Sequence, residues 1–187
     1  MHKLKPLTPL GSHTPRVDRI GQFEIAETVE MAFASVAARN GQEPAVISAM
    51  AQNHGLDLPF AGKAAQAGEL AAFWISPSQW MCAAPHETYE LLAQQLKATL
   101  GDRASVVEQT DAWCRFDVTG TKLCDLFERL TKADVRAMPP GSACRSTVEH
   151  LGVFLWRTAE DQMVVLGPRS SAASLHHALV TAARSVA

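Results

Sequence analysis

Residues 113–130 read WCRFDVTGTKLCDLFERL, and the two periodicities inside this stretch decide the fold class. From Trp113 to Val118, Cys114, Phe116 and Val118 alternate with Trp113, Arg115 and Asp117, as a half-buried strand requires. From Leu123 the period changes. Leu123, Leu126, Phe127 and Leu130 fall at i, i+3, i+4 and i+7, which is one face of a helix. A strand that feeds an amphipathic helix is the opening of an α+β unit.

Working towards the C-terminus, Pro139, Pro140 and Gly141 form a loop, and strands around 144–156 and 163–166 pair across the polar turn 159–161. A last helix starts near Ser170, a good N-cap, and buries Leu175, Leu179 and Ala183. The order is βαββα. Working towards the N-terminus, Val29–Ala37 suits a strand, and Pro44 opens a helix that stops near Gly55. Leu70–Ser76 (LAAFWIS) reads as a buried strand, Pro77 and Ser78 turn the chain, and Trp80–Ala83 returns. His86–Leu100 places Tyr89, Leu92, Leu96 and Leu100 on one helical face, and 104–109 forms a further strand. That order, βαββαβ, is ferredoxin-like. The expectation is an α+β protein of two ferredoxin-like half-units, about 29–109 and 112–187, packed into one body over residues 21–187. The second half lacks a closing strand. Residues 1–20, with Pro6, Pro9 and Pro15, read as an extended arm that frays unless it orders against a partner.

Apolar residues make up 47% of the 187 and charged residues 19%, which permits a buried core and argues against disorder. A net charge of −2 argues against nucleic acid as the main partner, although it leaves a local basic patch open. No stretch approaches the ~20 apolar residues of a membrane span, and the N-terminus has no apolar core of a secretory signal. The four cysteines, Cys82, Cys114, Cys124 and Cys144, form no disulfide framework, which points to the cytoplasm.

The residues that carry chemistry in other proteins are not arranged for it here. His176 and His177 are adjacent on a helix, so their side chains diverge by roughly 100°. His2 and His13 fall in the arm, and His54 and His86 at helix ends. There is no H-E-x-x-H, C-x-x-C, G-x-S-x-G, G-x-G-x-x-G or G-x-x-x-x-G-K-[ST]. Cys124 lies in the first turn of a helix without a neighbouring base, and Asp57, Asp111 and Asp117 have no acid–base partner in sequence. No catalytic, cofactor-binding or metal-binding residue is expected. Four tryptophans accompany a single tyrosine. Trp74 and Trp156 lie on apolar strands and suit a core. Trp113 shares the polar face of its strand with Arg115, and this pair is the candidate partner surface, because tryptophan and arginine are enriched in binding hot spots.

Four segments, in order, resemble the gamma subunit of heterotetrameric sarcosine oxidase. They are the Gly55–Pro59 G-x-x-LP turn, the W-x-x-P-x-x-W segment within FWISPSQWM (73–81), the run WCRFDVTGTKLCDLFERLTKAD (113–134), and GSACRSTVEHLGVFLWRT (141–158) followed by GPRSSAASLHHAL (167–179). The resemblance spans about residue 29 to the C-terminus. One departure is Glu108-Gln109-Thr110, where related sequences usually carry D-x-S.

The resemblance implies the folate-binding aminomethyltransferase fold and a subunit without catalytic residues of its own. It implies alpha, beta and delta subunits as partners. It places FAD, FMN, NAD, tetrahydrofolate and zinc on those subunits and none on this chain. The implied reaction is oxidative demethylation of sarcosine to glycine, with peroxide and with formaldehyde or 5,10-methylenetetrahydrofolate. A free-standing folate-binding protein of the aminomethyltransferase type and a structural adaptor are the alternatives.

Overall fold

A computed structural model describes residues 5–187. Its first elements are strands β1 (Val17–Ile20) and β2 (Phe23–Thr28), paired antiparallel. Residues 17–20 are therefore sheet rather than arm. The residues before them are held too: Thr8 N–H donates to Ser12 O at 2.8 Å, and the buried Glu27 carboxylate accepts the N–H groups of Leu10 and Arg16. A buried carboxylate satisfied by backbone donors fixes this segment, so fraying is not its state from residue 8 onward. The start of the expected arm, residues 1–4 including His2, lies outside the described residues. In β2, Phe23, Ile25 and Glu27 all point inward. The charge at the third inward position interrupts the apolar alternation by which a strand is recognised.

The chain next builds β3 (Met31–Ala38), α1 (Glu43–His54), β4 (Ala64–Ala67), β5 (Leu70–Ser76), β6 (Gln79–Pro85), α2 (Leu92–Leu100) and β7 (Ala104–Glu108). These form one compact unit, residues 30–110 with 141–144. Its sheet order is β4-β5-β6-β3-β7, antiparallel throughout. Without the short edge strand β4, this is the ferredoxin-like order. No sequence signal marks β4, because Ala64-Ala65-Gln66-Ala67 offers neither β-branched residues nor alternation. Pro44 sits in the first turn of α1, and Gly55 ends it with φ +64°, a left-handed cap that favours glycine. Val46 and Met50 from α1 and Leu92, Leu96 and Leu100 from α2 are buried against Ala34, Val36, Ala72 and Cys82 of the sheet. The second helix starts at Leu92 rather than His86. Before it the backbone makes turn bonds, Tyr89 N–H to Pro85 O and Leu92 N–H to Tyr89 O.

The remaining elements are β8 (Trp113–Thr119), α3 (Leu123–Phe127), β9 (Ser142–Val148), β10 (Leu151–Ala159), β11 (Gln162–Pro168) and α4 (Ala172–Val186). The second compact unit comprises the residues up to Val29, 111–140 and 145–187. Its sheet runs β1-β2-β8-β11-β10-β9. Here β10, β11, β8 and β2 occupy the positions that β5, β6, β3 and β7 hold in the other unit. The closing strand missing from the βαββα reading is β2, supplied from the N-terminal side and paired antiparallel with β8. Three boundaries differ from expectation. The apolar helical face after β8 ends as helix at Phe127 and continues in turns to the buried Leu130. Residues 144–156 are two strands, broken at Glu149, which has φ +53°. The last helix is preceded by Ser171, without a side-chain cap, rather than capped by Ser170.

Candidate functional site

The thiols are buried or poorly placed for attack. Burial pushes the Cys82 thiol up to about 12 and the Cys114 thiol up to about 11, and it raises Cys144 as well. A thiol that ionises so late is almost wholly protonated at neutral pH and is a weak nucleophile. Cys124 points its sulfur at the Val135 carbonyl, 3.9 Å away. Among the described residues no group of three His, Cys, Asp or Glu side chains is placed to hold a metal. His54 bonds the Thr99 hydroxyl at 3.0 Å, and desolvation lowers its pKa. His176 is buried in α4, 2.7 Å from Asp18 and tilted against the Phe116 ring. His13 reaches the Pro6 carbonyl. Each of these is accounted for by local packing and hydrogen bonding.

The alternation in β8 holds. Cys114, Phe116 and Val118 are buried, while Trp113, Arg115 and Asp117 share the other face. The Arg115 side chain is only 12% exposed and grips Asp117 through Nε at 2.6 Å and Nη2 at 3.0 Å. Trp113 is half-buried, its ring tilted 58° to Phe154 with centroids 5.3 Å apart. Both side chains are thus engaged within their own unit. Asp117 is placed on this face by the strand alternation, whereas the Phe154 ring, 41 residues on from Trp113, left no signal in the one-dimensional pattern.

Two of the quoted sequence segments meet in space. The indole Nε1–H of Trp80 donates to the Pro59 carbonyl at 2.8 Å, in buried surroundings. Trp80 also faces Trp74 across β5 and β6. Leu56 and Leu58 are buried, so the Gly55–Pro59 turn is clamped from below. On top of this fixed loop Phe60 stands 83% exposed. No periodicity in the sequence marks Phe60. Its signal is a phenylalanine directly after the L-P turn, outside any periodic segment.

The same end of the five-stranded sheet carries a cleft of about 430 Å³ lined by Arg39, Asn40, Gln42, Asp102 and Arg103. Ala38 pairs with Ala104, and Arg39 N–H donates to Arg103 O at 2.8 Å, so the two arginines stand opposite each other where the ladder ends. In Glu108-Gln109-Thr110, the Thr110 hydroxyl accepts the Phe33 N–H at 3.1 Å and the Glu108 carboxylate accepts the Thr110 N–H. This departure from the usual residues therefore still closes a side-chain turn. In the other unit, Arg157 is buried and its guanidinium bonds the carbonyls of Val135, Met138, Ala159 and Glu160. It organises the loop after α3.

Two ferredoxin-like units, the second closed by an N-terminal strand, place this chain in the folate-binding-like fold class of the aminomethyltransferases. The aminomethyltransferase T of the glycine cleavage system from Bartonella henselae is similar to it at a TM-score of 0.62 and 13% identity, over 84% of this chain and 48% of that chain. The chain belongs to the sarcosine oxidase, gamma subunit family, which matches residues 38–184. It is likewise similar to heterotetrameric sarcosine oxidase from Corynebacterium sp. U-96 in complex with pyrrole 2-carboxylate, at a TM-score of 0.77 and 21% identity, over 89% of this chain and 86% of that chain. No curated protein matches the sequence. The role of the chain is that of a gamma subunit, a component that works with other subunits.

Proposed function

We propose that this chain is the non-catalytic gamma subunit of a heterotetrameric sarcosine oxidase, assembled in the cytoplasm with alpha, beta and delta subunits. The complex demethylates sarcosine oxidatively to glycine, with peroxide and with formaldehyde or 5,10-methylenetetrahydrofolate as products. FAD, FMN, NAD, tetrahydrofolate and zinc reside on the other subunits. The family match over residues 38–184 is the observation that carries this reading. The late-ionising thiols and the locally satisfied histidines support the non-catalytic part. No helix among the described residues is long and apolar enough to cross a membrane.

Physically, such a subunit acts by binding the folded form of its partners, which displaces their unfolding equilibrium by mass action. The half-buried β8 face of Trp113 and Arg115 is one contact surface compatible with that role.

The test is gentle affinity purification of the full chain from its own cells, with the flavin spectrum recorded and the copurifying chains identified. One large, one medium and one very small partner in yellow material are expected. Colourless, solitary protein would overturn the reading. Calorimetric titration of that solitary protein with tetrahydrofolate would then decide for or against a free-standing folate binder.

A further inference from the structure

We propose that the end of the five-stranded sheet bearing Phe60, Lys63, Arg39 and Arg103 docks an acidic face of another subunit, whose carboxylates seat between the two arginines and whose apolar pocket receives Phe60. This rests on the gamma-subunit reading and assigns the surface through which it operates.

The register brings these residues to one end of the unit. Ala38, the last residue of β3, pairs with Ala104, the first of β7, so Arg39 and Arg103 flank the ladder end. Ala37 pairs with Gln79 and Ser76 with Gln79, so the start of β6 and the end of β5 lie at that same end. Ala64 pairs with Phe73 and Trp74 N–H donates to Lys63 O at 3.1 Å, which puts the start of β4, and Lys63 before it, there too. Phe60 is tied in by its own carbonyl, which accepts Lys63 N–H at 3.0 Å, and by the Trp80–Pro59 bond one residue earlier.

Three features select a carboxylate-bearing protein face as the occupant. First, like charges opposite one another across a ladder destabilise it. Among the described residues neither Arg39 nor Arg103 forms an ion pair, whereas Arg16, Arg19 and Arg115 each do. Carboxylates between the two guanidiniums would turn that repulsion into charge-assisted hydrogen bonds. Second, the cleft of about 430 Å³ between them is open to the exterior and has Asp102 as its one acidic lining residue. Third, an aromatic side chain 83% exposed on a loop clamped by Leu56, Leu58 and Trp80 is pre-ordered. A rigid aromatic anchor loses little conformational entropy on binding, and aromatic and arginine side chains are the residues enriched in protein interfaces. A small anion would use the arginines and leave Phe60 without a role.

The test uses the full chain, tagged and expressed in its own cells, as wild type, Arg39→Glu/Arg103→Glu and Phe60→Ala. Each is purified at low and at raised salt, copurifying chains are identified and flavin absorbance is measured. Melting temperatures of the isolated variants confirm folding. A control variant, Arg19→Glu, alters an exposed arginine in the other unit. The expected result is at least a tenfold loss of identified partner subunits with the double arginine variant. Phe60→Ala loses at least threefold, the control retains them, and the wild type sheds partners as salt rises. Hydrogen exchange of the wild-type complex is expected to show protection at residues 57–63 and 39–42 relative to the free chain. Wild-type recovery by both variants, or no protection at these residues, overturns the docking surface and leaves the gamma-subunit reading intact. A wild type that brings down no subunit overturns both.

Discussion

Glu27 and the backbone of Arg16 are joined twice: Glu27 N–H donates to Arg16 O at 2.7 Å, and Arg16 N–H donates to the Glu27 side-chain carboxylate at 3.1 Å. The same carboxylate takes the Leu10 N–H at 2.9 Å, so one buried acid anchors the chain ahead of β1. Glu27→Ala removes an acceptor from buried N–H groups, which costs about 1–3 kcal/mol. The expected outcome is a lower melting temperature together with rapid proteolytic cleavage between residues 8 and 16, read by mass spectrometry of limited digests. Unchanged protection of that segment would mean that other contacts hold it.

Arg157 donates to four carbonyls that no lysine could reach together, because the guanidinium is a planar fork and the ammonium a single point. Arg157→Lys is therefore expected to destabilise by about 2–3 kcal/mol in urea titration, through unsatisfied buried groups. A loss within experimental error would show that water replaces the fork without difficulty.

Trp80→Phe keeps the aromatic bulk and removes only the bond to Pro59. About 1 kcal/mol of stability is the expected cost. Faster amide exchange at residues 56–63 is the more telling readout, because it reports directly on the loop that carries Phe60. Exchange equal to wild type would show that Leu56 and Leu58 suffice to fix the loop.

The Arg16 guanidinium beside Asp18, assisted by His176, holds the Asp18 carboxyl below its usual range. A depressed folded-state value contributes stability that is present above the unfolded carboxylate value of about 4 and is lost as pH falls through the folded-state value. Asp18→Asn should therefore be less stable than wild type at neutral pH, with the gap beginning to close near pH 4 and closing fully only below the depressed folded-state value. Melting curves between pH 2.5 and 7 measure this. A constant offset across that range would remove Asp18 from the acid limb.

Arg115 is committed to Asp117 and Trp113 leans on Phe154. If the β8 face also meets a partner, Trp113→Ala combined with Arg115→Ala is expected to reduce copurified subunits at least threefold while the isolated chain still folds. Unchanged recovery of folded complex would dismiss this face as a contact.

The sequence by itself determined the α+β class, the half-units and the main apolar face of their helices, because periods of 2 and 3.6 are written directly in residue spacing. Leu123, Leu126 and Phe127, and Leu175, Leu179 and Ala183, are buried as their spacing requires. The segment WISPSQW was legible as a turn between strands, and the quoted segments together pointed to the family. Sequence could not reveal that β2 closes the second unit. Its inward face ends in Glu27, whose burial makes sense only once the backbone donors of Leu10 and Arg16 are folded over it. Nor could spacing place Arg39 opposite Arg103, since residues 64 apart in the chain become neighbours only through strand register. Tertiary structure alone decided which charges are paired, which are left facing outward, and that the phenylalanine after the L-P turn stands outside the core. Those outcomes depend on long-range pairing, and hydrophobic periodicity carries no information about it.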